Sequence, residues 1–210
     1  ACAPFRRLYL CNKNMVKMVT NNDSKAKNDL LLDVCMAAKY EGESITRDYP
    51  KYQTTYEGSG SGFTLCTMLA RSFADIGDIV RGRDLFYGNT HESAQRKKLD
   101  NNLKDIFKKI YEELSKNGAQ TYYNGDGPDY YQLREDWWTA NRHTVWKAIT
   151  CDDKLSNYKY FRATCSDRNG SFSQATKQCR CDGRNGTNAD QVPTYFDYVP
   201  QYLRWFEEWA

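Results

Sequence analysis

The sequence has no long apolar run: no stretch of its 210 residues approaches the roughly 20 apolar residues of a membrane-spanning helix. It also has no G-x-S-x-G motif, no P-loop and no glycine-rich dinucleotide fingerprint. The sequence therefore predicts no membrane helix within these residues and none of the commonest nucleotide-binding or serine-hydrolase sites. We expect no cofactor and no enzymatic activity.

Histidine is scarce, which argues against a metal centre. The sequence has 2 histidines, His91 and His143, and they lie far apart in the chain. Cys179 and Cys181 form a close thiol pair, but a C-x-C spacing does not match the C-x₂₋₄-C and H-x₃₋₅-H elements of zinc sites. We therefore expect no bound metal.

Strand patterns and strong net charge are also missing. Alternation of apolar and polar residues, which is typical of half-buried strands, does not persist anywhere in the sequence. The formal net charge is only +3, so local clusters must carry any electrostatic argument. Without a recognised motif, nucleic acid is not expected as a partner.

Cysteine, in contrast, is abundant. The chain has 8 cysteines, and an even number favours disulfides, which persist outside the reducing cytosol. Eight buried thiols are the alternative. The chain opens without the apolar region of a signal peptide and closes, at QYLRWFEEWA, inside a helical pattern. We therefore expect a segment of a larger secreted or surface-exposed protein.

The run Ala70–Phe86 carries the clearest helical pattern. Apolar residues recur there and just before it at helix spacing: Leu65, Met68, Leu69, Phe73, Ile76, Ile79 and Val80. Asp75 and Asp78 lie one turn apart on about the opposite face, and Arg71 and Arg81 are within one turn of them. Ion pairs on a helix flank are the favoured interpretation. The alternative is a catalytic carboxylate pair of a secreted hydrolase, although no nucleophile or base lies nearby in the sequence.

Two features point to close packing of helices. Gly77 interrupts the central helix at a cost of about 1 kcal/mol relative to alanine. We therefore expect another backbone to pack against it. Trp137 and Trp138 are expected to face the core and a neighbouring helix rather than to form a platform for a ligand.

The remaining pattern predicts an all-α fold with long loops. Helices are expected around Met15–Val19, from Asn28 or Asp29 to Glu41–Gly42, over 63–83, from His91 to Lys116, over Tyr131–Thr150, and after Pro200. Loops are expected over 43–62, 117–129 and 151–192, and the last of these holds four cysteines.

Two basic clusters are candidates for binding a sulfated glycan. Arg96, Lys97, Lys104 and Lys108 lie on one predicted helix, and the three lysines share a stripe. Arg6 and Arg7 form the second cluster. Guanidinium and ammonium groups bind sulfate and phosphate through charge-assisted hydrogen bonds. The alternative is a solvated helix face, because acidic residues interleave with the basic ones.

Several motifs together resemble the Duffy-binding-like domains, most closely the alpha type that heads the variant erythrocyte membrane protein 1 of Plasmodium falciparum. Residues 70–82, ARSFADIGDIVRG, are similar to the central helix of that family. The other motifs are CAPFRRLYLC at 2–11, VCMAAKYEG at 34–42, LREDWWTANRHTVWKAITC at 133–151 and PTYFDYVPQYLRWFEEWA at 193–210. They cover nearly the whole chain in the order that the family has.

The resemblance implies a Duffy-binding-like helical bundle of three subdomains with disulfide-stapled loops. This chain would hold most of the first subdomain (1–62) and the second (63–210), with the cysteine-rich excursion 151–192. By analogy Cys66 would pair with Cys179 or Cys181, Cys165 with the remaining thiol, and Cys35 with Cys151. Cys2 and Cys11 would also serve in disulfides, partly with upstream cysteines.

The resemblance further implies an adhesion module on the extracellular face of the infected erythrocyte, tethered to the membrane through other parts of its protein. Expected partners are a sulfated glycan, a blood-group sugar or a complement-regulatory receptor, together with antibodies against its variable loops. A structural segment that binds mainly the rest of its own protein is the alternative. Three glycosylation sequons, at Asn22, Asn169 and Asn185, lie in predicted loops.

Overall fold

Helices form most of the chain. A computed structural model describes residues 2–18, 25–55, 64–181, 183 and 188–209. Within these ranges the helices are α1 (Phe5–Leu8), α2 (Lys13–Val16), α3 (Ala26–Thr55), α4 (Leu65–Arg81), α5 (Thr90–Glu113), α6 (Tyr131–Ile149) and α7 (Gln201–Trp209). Short 3₁₀ turns lie at Leu114–Asn117, Ala119–Tyr123, Asp153–Leu155 and Phe196–Tyr198. The predicted all-α class is confirmed.

The central helix α4 is buried on all its sides. Its apolar side chains pack against α3 and α6, as the sequence predicts. Its polar side chains are buried as well, however: Asp75 is 0% exposed and Asp78 is 4% exposed. Helix α7 and the turn at Phe196–Tyr198 cover that face. The predicted ion pairing on this flank is confirmed, since Arg81 lies 3.0 Å from Asp78.

Gly77 makes room for a side chain rather than for a backbone. A Cβ atom at this position would lie 2.7 Å from the ring of Trp138 on α6. Trp138 also donates a hydrogen bond from Nε1 to Asp197, at 2.9 Å. Trp137 packs edge-on against Phe107 of α5. Both tryptophans therefore pack in the core, as expected. The group that packs against Gly77 is the indole ring of Trp138 and not a backbone, so that part of the prediction is wrong.

Helix α3 continues far beyond its predicted end. It passes through Gly42 and includes Pro50, so the prediction of a loop from residue 43 is wrong as far as Thr55. Gly42 lies inside the helix against the backbone of Ile149, where a Cβ atom would clash with the carbonyl oxygen, so the glycine serves close packing rather than helix termination. Ile45 and Tyr49 are buried and continue the apolar stripe at four-residue spacing. The predicted loop over 56–63 lies outside the described residues.

Helices α5 and α6 begin at capped ends close to the predicted positions. The side chain of Asn89 accepts from the Glu92 amide, and Glu92 accepts from the Asn89 amide, which makes a capping box for α5. Asp126, in the preceding loop, accepts hydrogen bonds from the amides of Gln132 and Leu133 at the start of α6. These caps satisfy amide groups that a helix leaves without partners at its first turn.

The segment 151–192 is irregular but contains a short antiparallel hairpin, so the prediction of no strands is wrong there. Strand β1 (Ala163–Ser166) pairs with β2 (Phe172–Gln174), with a register irregularity between Ala163 and Cys165. The turn is organised by Asp167, whose carboxylate accepts from the amides of Asn169 and Ser171. Strands of three and four residues are too short to display a sequence alternation.

Two disulfides anchor this segment. Cys66 of α4 is bonded to Cys179, across 113 residues of sequence, and Cys165 is bonded to Cys181. Both pairings agree with the expectation from the resemblance. The remaining four cysteines predicted in disulfides are free thiols in this structure: Cys2, Cys11, Cys35 and Cys151.

The expected bond between Cys35 and Cys151 is therefore absent from the described residues. Cys35 lies half-buried on α3, about two turns before the contact of Gly42 with α6, whereas Cys151 is exposed beyond the end of α6. Burial raises the pKa of Cys35 to about 11. Burial and the nearby Glu41 raise the pKa of Cys11 to about 11 as well, so neither thiol is activated as a nucleophile.

Candidate functional site

Arg6, predicted as a glycan ligand, is engaged inside the protein. Its guanidinium lies 2.7 Å from Asp75 and donates hydrogen bonds to Ser72 and Glu208, each at 2.9 Å. Burial alone would lower the pKa of Arg6, but Asp75 and Glu208 raise it above its ordinary value. The structure therefore places Arg6 between α1, α4 and α7 and not at a surface open to a glycan.

Arg7 is also buried. Its Nη2 lies 2.6 Å from an oxygen of Asp84, and its guanidinium stacks 4.6 Å from the ring centre of Phe86. A second nitrogen, Nε, reaches the other oxygen of Asp84 at 3.3 Å, so the contact is bidentate. Like Arg6, this residue joins the N-terminal segment to the body of the protein.

Asp75 and Asp78 lie at the centre of the same ion-pair network. Asp75 accepts from Arg6 and Arg204, and Asp78 accepts from Arg81 and Arg204. Burial raises the pKa of Asp75 on its own, but the two cations outweigh it and hold the pKa at about 2. At Asp78 burial prevails, and the pKa is raised to about 6.

This arrangement favours ion pairing over catalysis. All four carboxylate oxygens of Asp75 and Asp78 accept hydrogen bonds from arginine side chains. A nucleophile or a general base needs an oxygen that reaches substrate or water. The hydrolase hypothesis therefore has no support in the geometry.

The basic residues of α5 are arranged differently, and they face solvent. Arg96 is 29% exposed at its side chain and donates to the carbonyl of Asp84 at 2.7 Å. Lys104 lies 3.0 Å from Asp100 and 2.8 Å from Asp129, so its charge is partly neutralised. Lys97 and Lys108 are exposed and have no acidic partner in the described part of the chain.

Lys97 and Lys108 share one face of α5. Eleven residues are close to three whole turns of a helix, so the two side chains lie about 16 Å apart along the axis on the same side. We call Lys97, Lys104 and Lys108, together with Arg96, the α5 basic face. Of the two predicted basic clusters, it is the one that has exposed cationic side chains among the described residues.

Two cavities flank the N-terminal half of α5. The first, of about 290 Å³, lies between α5 and the residues that follow α4, and Asp84 and Tyr131 line it. The second, of about 390 Å³, lies between α5 and the segment 7–17 that carries α1 and α2. Arg96 lines both. We call the second cavity the α2–α5 cleft.

In the described ranges no three His, Cys, Asp or Glu side chains come together as metal ligands. No helix within those ranges is both long and apolar enough to cross a membrane. Of the three sequons, Asn169 lies exposed in the turn of the hairpin, whereas Asn22 and Asn185 lie outside the described residues.

Comparison with known proteins identifies the family. Residues 1–204 match the family model of the Duffy binding domain. The chain belongs to the Duffy binding domain family. The resemblance that the motifs indicate is thereby confirmed.

Solved structures place this Duffy binding domain beside variant antigens. The NTS-DBL1(alpha-1) domain of Plasmodium falciparum membrane protein 1 (PfEMP1), varO strain, is 43% identical, with a TM-score of 0.73, over 100% of this chain and 43% of that chain. The ICAM-1-binding DBLbeta domain of PfEMP1 IT4var13 is 36% identical, with a TM-score of 0.68, over 97% of this chain and 41% of that chain.

A curated relative is more distant. The Duffy receptor beta form of Plasmodium knowlesi is 22% identical over 218 residues, which cover 100% of this chain and 14% of that protein. The chain therefore spans less than half of each of these three relatives. The division of this Duffy binding domain at residue 62 into two subdomains stays a prediction.

The sequence does not predict the α2–α5 cleft or the long-range partners of the α4 carboxylates, although it does predict the local pairing of Asp78 with Arg81. The cleft joins residues near position 10 to residues near position 95, and Asp75 meets Arg204 across 129 residues. No local pattern connects positions so far apart. The one available signal was the short spacing of Lys13 and Lys17, which places two cations on one side of a helical turn.

Proposed function

We propose that this chain is an extracellular adhesion module that binds host cell-surface receptors. The observation that carries the proposal is its 43% identity, over its whole length, to the DBL1(alpha-1) domain of PfEMP1. The ICAM-1-binding DBLbeta neighbour, at 36% identity, supports receptor binding on the same scaffold. In this proposal the module lies on the outer face of the infected erythrocyte and contributes to cytoadherence or rosetting, while its loops vary antigenically.

The finer part of the proposal assigns a sulfated glycan to the α5 basic face. Lys97 and Lys108 are exposed and lack acidic partners in the described residues. A linear polyanion running along the helix would contact both, because their side chains point the same way about 16 Å apart. Arg6 and Arg7 do not take part, since their guanidinium groups bind Asp75, Glu208 and Asp84.

Chromatography on immobilised heparin tests this assignment. In the double variant Lys97→Glu and Lys108→Glu, we expect elution at a clearly lower salt concentration than for the wild type. The matched control is Lys154→Glu with Lys159→Glu, which changes the net charge equally in the segment 151–192 and should leave elution nearly unchanged. An equal decrease in both variants would mean that heparin senses only the overall charge.

A panel of receptors tests the broader proposal. The 210-residue chain and the full-length head of its protein are presented to red-cell glycans, blood-group sugars and purified receptor ectodomains. Saturable binding of the chain alone would support an adhesion surface within it. Binding by the full-length head only would favour the second candidate, a structural segment whose main partner is the rest of its own protein.

Exposed aromatic side chains at α1 and α7 favour this second candidate. Phe5 is 66% exposed and Trp209 is 52% exposed, and their rings are in contact with centroids 5.7 Å apart. Tyr202 and Phe206 are also exposed and lie seven and three residues before Trp209, on the same side of α7. Exposed aromatic rings in one patch are typical of surfaces that are covered by another chain or domain.

A further inference from the structure

The α2–α5 cleft has an apolar floor. The buried Leu10 and Leu99 line it together with Val16 and Phe86, and Leu8 lies at its exposed edge. The volume of the cleft, about 390 Å³, lies within the range of small-ligand pockets, about 300–1,000 Å³. Such a floor accepts an aliphatic or aromatic side chain, whose transfer from water is favourable in proportion to the apolar area that becomes buried.

The rim of the cleft is cationic. Lys13, Lys17 and Arg96 line it, the buried Arg7 lies deeper in the cleft, and Glu92 is the single lining carboxylate. Arg7 and Arg96 already contact Asp84, and Glu92 is engaged in the capping box of α5. Lys13 and Lys17 are exposed, one helical turn apart, and have no acidic partner within the described ranges.

The walls of the cleft are held in place without a ligand. Asn102 of α5 donates to the carbonyl of Val16 at 3.1 Å, which ties the two walls together. Asn14 donates to the carbonyl of Asp33 on α3 at 2.7 Å, and Met15 is 0% exposed. A preformed cleft binds with less loss of conformational entropy than one that must be assembled.

We propose that the α2–α5 cleft binds an acidic segment of a protein partner. An apolar side chain of that segment occupies the floor, and neighbouring carboxylates lie on Lys13 and Lys17. The partner is peptide-like because the floor is apolar while the free charges are confined to one edge of the rim. The proposal rests on the proposed receptor-binding function and adds a second contact surface to it, separate from the outward-facing lysines of α5.

Nuclear magnetic resonance with a defined peptide tests the proposal. The probe is acetyl-Glu-Asp-Phe-Leu-Asp-Glu-amide, added to the ¹⁵N-labelled 210-residue chain up to 5 mM. We expect saturable amide shifts at Lys13, Lys17 and Gln95. Two control peptides replace Phe-Leu by Ser-Ser or the four acidic residues by lysine, and both should bind at least tenfold more weakly.

Surface variants localise the binding. The double variant Lys13→Glu and Lys17→Glu should weaken the peptide at least tenfold, whereas Lys154→Glu with Lys159→Glu should leave its affinity unchanged. Both pairs are exposed, and circular dichroism checks that the helical content is unaltered. The proposal is overturned if the peptide causes no saturable shifts, if the Ser-Ser peptide binds equally, or if the two variants bind alike.

Heparin retention separates this proposal from the glycan assignment. If Lys13→Glu with Lys17→Glu abolishes peptide binding but retains heparin elution near the wild-type salt, the cleft is a distinct site, as proposed. If peptide shifts are absent while the α5 variant still lowers heparin elution, the cleft proposal fails and the glycan assignment stands. If the receptor panel finds no binding but the peptide shifts persist, the proposed function fails and the cleft remains.

Discussion

Helices α4 and α5 carry the same kinds of charged residues and use them in opposite ways. On α4, Asp75 and Asp78 are buried and bound to arginines from α1, α7 and α4 itself. On α5, Lys97 and Lys108 face solvent without acidic partners in the described residues. The sequence pattern is similar, an apolar stripe opposite charges at helical spacing, so the pattern alone does not say whether a charge is structural or free.

The difference arises from what covers each helix. The polar face of α4 is closed by α7 and by the turn at Phe196–Tyr198, so its charges must be compensated internally. The outer face of α5 has no such cover from the described residues, and its lysines keep their hydration. Four predictions about stability follow from this difference, in order of expected effect.

The largest effect should follow loss of the disulfide that ties α4 to the segment 151–192. We expect Cys66→Ser with Cys179→Ser to lower the free energy of unfolding by about 4–5 kcal/mol, because the bond closes a loop of more than one hundred residues. The bond between Cys165 and Cys181 closes a much shorter loop. Its removal by Cys165→Ser with Cys181→Ser should lower the free energy of unfolding by about 3 kcal/mol. Urea denaturation measures both, and a larger loss in the second variant would contradict the loop-length argument.

Replacement of Arg204 tests the buried charges directly. Arg204→Met removes the partner that Asp75 and Asp78 share, and we expect a loss of about 3 kcal/mol at pH 7. Lys97→Glu with Lys108→Glu on α5 should change stability by less than about 0.5 kcal/mol. Urea denaturation of both variants measures this contrast, and similar losses would remove the distinction between the two helices.

The same variant has a pH dependence with a definite sign. Burial raises the pKa of Asp78 in the folded protein to about 6, so protonation of Asp78 favours the folded state at low pH and that contribution is lost as the pH rises through 6. In Arg204→Met, protonation at low pH therefore removes the negative charge of Asp78 that has lost its partner. The stability gap to the wild type should shrink between pH 7 and pH 5, and a gap that widens would contradict this.

A smaller effect should follow the change Gly77→Ala on α4. Alanine gains about 1 kcal/mol of helix propensity, but its Cβ would lie 2.7 Å from the buried ring of Trp138. Overpacking costs about 1–3 kcal/mol, so we expect a net loss of about 1 kcal/mol. Asn101→Ala on the exposed side of α5 should instead raise stability by a few tenths of a kcal/mol. Thermal denaturation compares the two, and a stabilised Gly77→Ala would contradict the indole contact.

Much of the fold follows from local pattern, and the rest does not for a physical reason. The helices α4, α5 and α6 begin and end within a few residues of their predicted limits because their apolar stripes and caps are local. The end of α3 was mispredicted because Gly42 and Pro50 are read as helix breakers, whereas the close contact of Gly42 with Ile149 is a tertiary feature.

The candidate site was predictable only in part. The exposure of Lys97 and Lys108 was predictable because exposure on a helix follows from its periodicity, whereas their role in binding a glycan stays a prediction. Arg6 and Arg7 look equally basic in the sequence, but their partners, Asp75 and Asp84, are 69 and 77 residues away. A pairing over such a distance leaves no local trace. The α2–α5 cleft required the same kind of long-range information.

The hydrogen bond from Trp209 Nε1 to the carbonyl of Cys2, at 2.9 Å, has a mechanical consequence. Because positions 2 and 209 are adjacent in space, a tension applied through them enters and leaves the molecule at one place. Such a load would first break the contact of Phe5 with Trp209 and the hydrogen bond from Arg6 to Glu208. Helices α3, α5 and α6 lie outside the line of force. Under a pulling load, α1 and α7 would therefore separate before the packing among α3, α5 and α6 is disturbed.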